Sequence, residues 1–433
     1  MRDTPSEDDT DLTDALFEAL TDTTEQEVLT GEVARAEPAN FLRHVGALSA
    51  TKVADGLVDP KLVLSWLGAT LGAPAALIGL LVPVREAGAL LPQAVTAPRI
   101  RAMARRKWAW AAGSVGQGLA AAALALTALF MSGPAAGWAL VGALAVLALS
   151  RSVCSVSYKD VLGKTIDTPR RGTVKGTATS VASVGVLVFA ALLMTGAVER
   201  LTLVTGALML AAILWLVGAA LLASLRERAQ PADADGAETG LRSLAALLGQ
   251  DRGLAQFVAA RALLLPTALA PPYLVLLAAE AGERSLDRIG ALLLASALAG
   301  FASAWAWGRL ADRSSRILLA VAGLSGGAVL VAAILLDMAG LIGTIWAAPA
   351  TIFVLMVAYQ GVRTARSTWL VNYAPTDDRA RYTAVANTTI GVLLLVSGGL
   401  GAGAASVGPG VALGLFALSC LAGAAVAWRL PEA

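Results

Sequence analysis

Charge, cysteine and histidine are all scarce in this chain. Only 15% of its 433 residues are charged, against about 25% in an ordinary soluble domain. Hydrophobic residues make up 57%, and the mean hydropathy is +0.70. A soluble core cannot absorb that much apolar surface, so most side chains must face lipid or other membrane helices. Only helices or a closed barrel satisfy every backbone polar group in hydrocarbon. Alternating ten-residue segments are missing, which removes the barrel. Two cysteines, Cys154 and Cys420, both inside apolar segments, and a single histidine, His44, exclude a disulfide framework and a His/Cys metal site. No cofactor is therefore expected. There is no nucleophile-base pair and no phosphate loop, so the chain does not read as an enzyme. Nothing points to nucleic acid or to an obligate protein partner. The first forty residues lack a basic start and an apolar stretch, so no signal peptide is read there.

What is present is a series of long apolar runs behind an acidic start. Residues 1–41 hold twelve acids and two bases, leaving 31 bases against 19 acids in the remainder. Ten spans follow directly from hydropathy: 108–130, 138–156, 177–197, 203–225, 254–279, 289–310, 317–336, 345–362, 382–405 and 411–430. Each is near the ~20 residues that a bilayer requires. Ahead of them, 62–82 has no charge and could be drawn as one span, giving eleven. Two spans precede the basic turn Gly308 to Arg316, so by analogy two should precede the basic turn Arg99 to Lys107. We therefore place spans at 48–71 and 75–97, with a turn at Gly72 to Pro74, for a total of twelve. Alternate connections hold 22 Lys and Arg, whereas the opposite face holds three, Arg200, Arg284 and Arg288. The positive-inside rule then puts both termini in the cytoplasm of a multi-pass inner-membrane protein.

The chain repeats itself. Ala54 to Pro60 aligns with Ala260 to Pro266, Arg99 to Arg106 with Arg309 to Arg316, Arg151-Ser152 with Arg363-Thr364, and Arg171 with Arg379. The order is kept and the offset drifts by only a few residues, as a duplicated six-helix unit requires. The expected division is an acidic segment 1–41, a six-helix bundle 42–225, a linker 226–251, a second bundle 252–430 and a tail 431–433. The linker contains a flexible Pro231 to Gly236 stretch. Beyond it, Leu241, Leu244, Leu247 and Leu248 fit one face of a short surface helix. In the acidic segment Leu12, Leu16, Phe17 and Leu20 have helical spacing, compatible with docking on basic loops or with a solvated segment.

Gly308-Arg-Leu-Ala-Asp312-Arg313-Ser-Ser-Arg316 resembles the cytoplasmic signature of the major facilitator superfamily, with Ser315 in place of the second glycine and Ile317 in place of the lysine. The first-half turn keeps the bases but has Ala102 where the acid belongs. Arg151 resembles the family's fourth-helix arginine without its glycines, and the antiporter Gly-Pro motif is absent from span five. The resemblance covers residues 42–430. It implies an all-α membrane protein of twelve transmembrane helices in two pseudo-symmetric six-helix bundles. It further implies that Asp312, in a turn with Gly308, Arg313 and Arg316, latches to the start of span five, where a helix N-terminus favours an anion. A local Asp-Arg pair is the alternative.

Ionisable groups inside spans cost about 2.5–3.5 kcal/mol each on insertion scales, so each is a functional candidate. Span one has Lys52, Asp55, Asp59 and Lys61; span two has Arg85 and Glu86; Arg151 and Arg261 lie in spans four and seven. Glu86, Asp59 and Asp55 are the candidate proton-coupling groups, with Arg85, Arg151 and Arg261 as charged partners. A local Lys52-Asp55 pair at i,i+3, or pairing of Arg85 with Asp59 or Asp55, is the structural alternative. Tyr273, Trp305, Tyr359 and Asn387 could line a pathway or could simply pack.

Together these features predict secondary transport of a small solute by alternating access, coupled to protons, with the bilayer, solute and protons as partners. Amphipath efflux by the same fold, and a non-transporting sensor or scaffold, are the alternatives. The topology is checked by reporter fusions at Ala73 and Arg105, which should report opposite faces of the membrane; an external residue 20 would favour eleven spans.

Overall fold

The computed structural model describes residues 13, 17–18, 21, 32–229, 241–281, 289–375 and 378–432, apart from the side chains of 32–34, 94, 241–245, 304–305 and 380. Leu12, Leu16, Leu20, Arg284, Arg288 and the Pro231 to Gly236 stretch lie outside these residues.

Every element among the described residues is helical. Span 1 is Glu32–Leu57 continued by Val63–Thr70, and span 2 is Ala75–Leu90 continued by Gln93–Arg101. Spans 3 to 6 are Lys107–Phe130, Gly133–Thr165, Arg171–Thr195 and Arg200–Ala223. After a short helix Leu241–Gln250, span 7 runs in three pieces, Arg252–Leu263, Pro266–Leu269 and Pro271–Glu280. Spans 8 to 12 are Ile289–Arg313, Ser315–Met338, Ala347–Tyr373, Arg379–Ala405 and Pro409–Trp428. Eight of these are long and apolar enough alone to cross a bilayer; counting two pairs bent by 40° and 45°, spans 2 and 8, makes ten. The remaining two, spans 1 and 10, carry the polar load: Lys52, Asp55 and Asp59 in one, Gln360, Arg363 and Arg366 in the other. Span 1 can do so because no residue from Ala36 to Ala69 is exposed.

Several sequence boundaries move, those of spans 1 and 10 the furthest. Span 1 starts at Glu32, well before 48, because Glu37 pairs with Arg170 and Asn40 bonds the Arg226 backbone, so this segment is held by the protein and needs no lipid. Span 10 continues past Val362 to Tyr373, so Arg363, which is exposed, and Arg366, which is half-buried, are helical residues and not part of a connection.

The duplication is visible in the packing. In the first half span 3 packs on 4 and 6, span 4 on 2, and span 1 on 5 and 6. In the second half span 9 packs on 10 and 12, span 10 on 8, and span 7 on 11 and 12, the same scheme advanced by six. The halves meet through spans 2 and 11 and through spans 5 and 8, again an exchanged pair. The breaks match as well. Pro60 and Pro266 cannot donate a backbone hydrogen bond, so each interrupts the first helix of its half. At the first break the Asp59 carboxylate accepts from the Lys61 and Leu62 N–H groups at 2.6 and 3.2 Å. At the second, Thr267 donates to the Leu264 carbonyl at 2.8 Å.

At the end bearing the basic turns, carboxylates hold helix termini in place. Glu227 accepts from the N–H groups of Arg106 and Lys107 at the start of span 3 (3.1 and 2.8 Å), while Lys107 Nζ donates to the Ala223 and Leu225 carbonyls at the end of span 6. Each charge sits at the helix end whose dipole suits it. Glu37 accepts from Arg170 at 2.7 Å and from the Asp167 N–H. Phe17 packs edge-on to Phe41 and lies under the Arg170 guanidinium. Asp251 caps span 7 through the Leu254 N–H and accepts the hydroxyls of Tyr373 and Tyr382 at 2.7 and 2.8 Å. Burial opposes its charge, but these donors outweigh burial and hold its carboxyl below the usual carboxylate range. The cap therefore stabilises above the ordinary pKa, and that stability is lost as pH falls through the depressed value.

At the opposite end the halves close on one another. Pro271–Glu280 packs against Val63–Thr70 and span 2. Tyr273, fully buried, stands edge-on to Phe416 and fits between two glycines: a Cβ on Gly401 would lie 2.7 Å from its hydroxyl, and one on Gly79 would collide with it. Gly398 likewise leaves room for the ring of Pro83, which cannot move aside. Gly398→Val should wedge spans 2 and 11 apart. Cys154 and Cys420 are buried, so labelling of an introduced Leu67→Cys by an impermeant maleimide should rise several-fold in the Gly398→Val background; unchanged labelling would mean that this seam does not depend on glycine.

Candidate functional site

The charged residues of spans 1, 2 and 4 converge on one carboxylate. Asp55 Oδ1 accepts from Arg85 at 2.8 Å, and its Oδ2 takes a short charged hydrogen bond from Arg151. One negative charge thus holds two guanidiniums, and the trio retains a net positive charge. Lys52 is not the partner of Asp55: its ammonium donates to Thr179 of span 5 at 2.5 Å. The i,i+3 pair fails because two arginines, each with several donors, outcompete one lysine for the carboxylate.

Beside the trio is a cavity of ≈ 330 Å³ within the first half, lined among others by Lys52, Asp55, Arg151, Lys175, Gln117 and Tyr158. Lys175 and Ser155 on its wall are exposed, so it opens toward the end carrying the basic turns.

A second cluster lies where the halves face each other. Lys61, 7% exposed, places its ammonium 3.4 Å from the ring centroid of Tyr359 in span 10. This is a cation-π contact between the halves. Tyr359, Arg363 and Arg366 are spaced i, i+4 and i+7, on one helix face, so the face that meets Lys61 also carries two guanidiniums. Arg261, 5% exposed, donates to Asn387 Oδ1 at 3.2 Å, while its Nε is buried without a partner. Glu86 is half-buried and makes no ion pair or hydrogen bond among the described residues. The cations whose fields act on it are Lys61, Arg85, Arg366 and Arg151.

The expected site residues therefore separate. Asp55, Arg85 and Arg151 come together. Asp59 is occupied in capping the break of span 1. Glu86 lies among cations without touching one. Tyr359 meets Lys61 across the junction, Arg261 and Asn387 bond to each other within the second half, where Arg261 feels the charge of Arg366, and Tyr273 is locked in the closed seam. The Trp305 side chain lies outside the described ones, and its neighbour Trp307 donates to the Val357 carbonyl at 2.8 Å. Asp312 and Arg313 are exposed, and Asp312 has no ion pair or hydrogen bond among the described residues. Arg316 pairs with Glu432 at 2.7 Å. Gly308 has open space around it. Sequence reasoning counted Lys61 among the charges of span 1 without giving it a role, and it missed Arg366. The signal for Arg366 was the i, i+4, i+7 spacing from Tyr359, hidden by ending span 10 too early.

Asp55→Asn would leave Arg85 and Arg151 repelling one another. Removing one partner of a buried pair costs about 3–5 kcal/mol, and the 37% exposure of the Arg151 side chain brings the expectation to the low end. Lower membrane yield and a melting temperature several degrees down should result, with Asp55→Glu partly restoring both; an unchanged melting temperature would show that the trio is not structural.

Neither a family model nor a curated protein sequence matches the chain. Solved structures do. The nucleoside transporter NupG superposes with a TM-score of 0.62 at 13% identity, covering 90% of this chain and 98% of that one. A POT family transporter in complex with 5-aminolevulinic acid gives 0.66 at 11%, covering 90% and 95%. A D-xylose-proton symporter gives 0.63 at 12%, covering 91% and 98%. Such low identities establish architecture alone, and with the exchanged packing of spans 2, 5, 8 and 11 they show that this membrane protein has the fold of the major facilitator superfamily.

Proposed function

We propose that the chain is a secondary active transporter that moves a small solute across the cytoplasmic membrane by alternating access. The observation that carries this reading is the Lys61-Tyr359 contact. It joins repeat-related halves at the level of helix breaks, amid charges that no lipid-facing or purely structural role requires. Transporters of this general kind bind at the junction of their repeats and rock one against the other. The neighbours named as transporters and as a proton symporter support it.

Proton coupling is assigned to Glu86. Its carboxylate has cations around it but no contact partner, so its proton affinity follows the distance to Lys61, Arg85 and Arg366, and rocking of the halves changes the distance to Arg366, which belongs to the other half. Asp55 is less suited, because protonation would release two guanidiniums at once, and Asp59 would lose its cap. The state described is closed at the end opposite the basic turns, so it faces the cytoplasm if the charge bias sets orientation. The Asp312 latch is then assigned to the state in which the basic ends approach each other.

Glu86→Gln preserves shape and removes titration. In proteoliposomes the variant should lose accumulation driven by a pH gradient by tenfold or more, or about 1.4 kcal/mol, while counterflow persists. Normal accumulation with unchanged pH dependence in a folded Glu86→Gln protein would sink the assignment.

A further inference from the structure

The junction between the halves has more positive charge than it can neutralise. Asp55 serves two arginines, and Asp59 is committed to backbone N–H groups. Against Lys61, Arg261, Arg363 and Arg366 stand two carboxylates, Glu86 and Asp59, both within the field of Lys61. Among the described residues none of these four cations has an ion pair within 4.0 Å. Lys61 and Arg261 are both more than nine-tenths buried. A desolvated cation without a counter-charge is among the most expensive things a fold can hold. Lys61 has an aromatic face in contact and only the more distant Asp59 and Glu86 as counter-charges, and Arg261 has a neutral amide, which offsets little of that cost.

We infer that the missing counter-charge belongs to the solute: the transported molecule is a small anion bearing a carboxylate or phosphate, held between Lys61 of one half and Arg261 and Arg366 of the other. The inference deepens the transport reading and rests on it. The buried, unpartnered Nε of Arg261 is a donor available to an oxyanion, and a guanidinium presents the fork geometry that carboxylate and phosphate match. Because the cations come from both halves, a bound anion draws the halves together, whereas the empty site repels itself. Glu86 competes with the anion for the same field. Its protonation therefore favours anion binding, which is the sign that symport of an anion with a proton requires.

The test is binding by the purified full-length chain in detergent, read as the shift of its melting temperature at constant ionic strength. The probes are charge-matched sets: succinate and citrate; glycerol 3-phosphate and glucose 6-phosphate; their neutral counterparts glycerol and glucose; and the cation spermidine. At least one anion should raise the melting temperature by several degrees while its neutral counterpart does not, and whether the carboxylates or the phosphates do so identifies the group. For that anion Lys61→Gln and Arg261→Gln should each weaken binding by about tenfold or more, while Lys61→Arg retains it. Stabilisation by the neutral or cationic probes, by every anion and chloride alike, or by none, would overturn the inference, and wild-type protein suffices to reveal it if the variants fail to fold. Proteoliposome uptake separates the two readings. Anions that bind but are never carried would end the transport reading and leave the charge assignment standing, whereas uptake of a neutral solute without anion binding would do the reverse.

Discussion

One carboxylate against two guanidiniums is the contact on which the first half depends. Asp55 ties span 1 to spans 2 and 4 through Arg85 and Arg151, and without it two like charges would face each other where water screens them only in part. Span 1 is also too polar to face lipid, so it must sit inside the bundle, and the trio compensates for its own polarity while fixing that position. Lys52 extends the same logic to span 5 through Thr179. The cavity beside the trio is a consequence: groups held this tightly at their charged ends leave space between Trp110, Gln117 and Tyr158 that no side chain fills.

The second half solves the same architectural problem differently. Its first span carries Arg261 where span 1 carries Asp55, and Asn387 takes the place of a counter-ion. The duplicated scaffold thus holds a neutralised centre in one half and an unneutralised one in the other. That asymmetry, not the fold, is the chemically specific feature of this protein, since the fold itself is compatible with many solutes. At the closed end the symmetry returns in another form, as glycines facing Tyr273 and Pro83 allow the helices to approach closely. Glycine contacts hold the halves by shape and can release without stranding a polar group. The ionic anchors at the other end, around Glu227, Glu37 and Asp251, each lie within one half and can persist through a rocking motion.

The sequence alone determined the solvent, the all-helical architecture and the duplication. Composition rules out a soluble core, hydropathy sets element length against bilayer thickness, and repeated landmarks such as Pro60 and Pro266 or Arg171 and Arg379 survive because helix starts and breaks are local events. The same locality explains why Gly308 to Arg316 was legible as a turn. Pairing was not legible. Whether Asp55 meets Lys52, Arg85 or Arg151 depends on how spans 1, 2 and 4 are rotated about their axes, and that is decided by packing across the bundle. The placement of Lys61 on Tyr359, the isolation of Glu86 and the unpartnered Nε of Arg261 likewise need both halves to be docked. Only the tertiary structure could show which charges were spent on each other and which were left over, because in hydrocarbon a charge is defined by its neighbours in space and not by its neighbours in the chain.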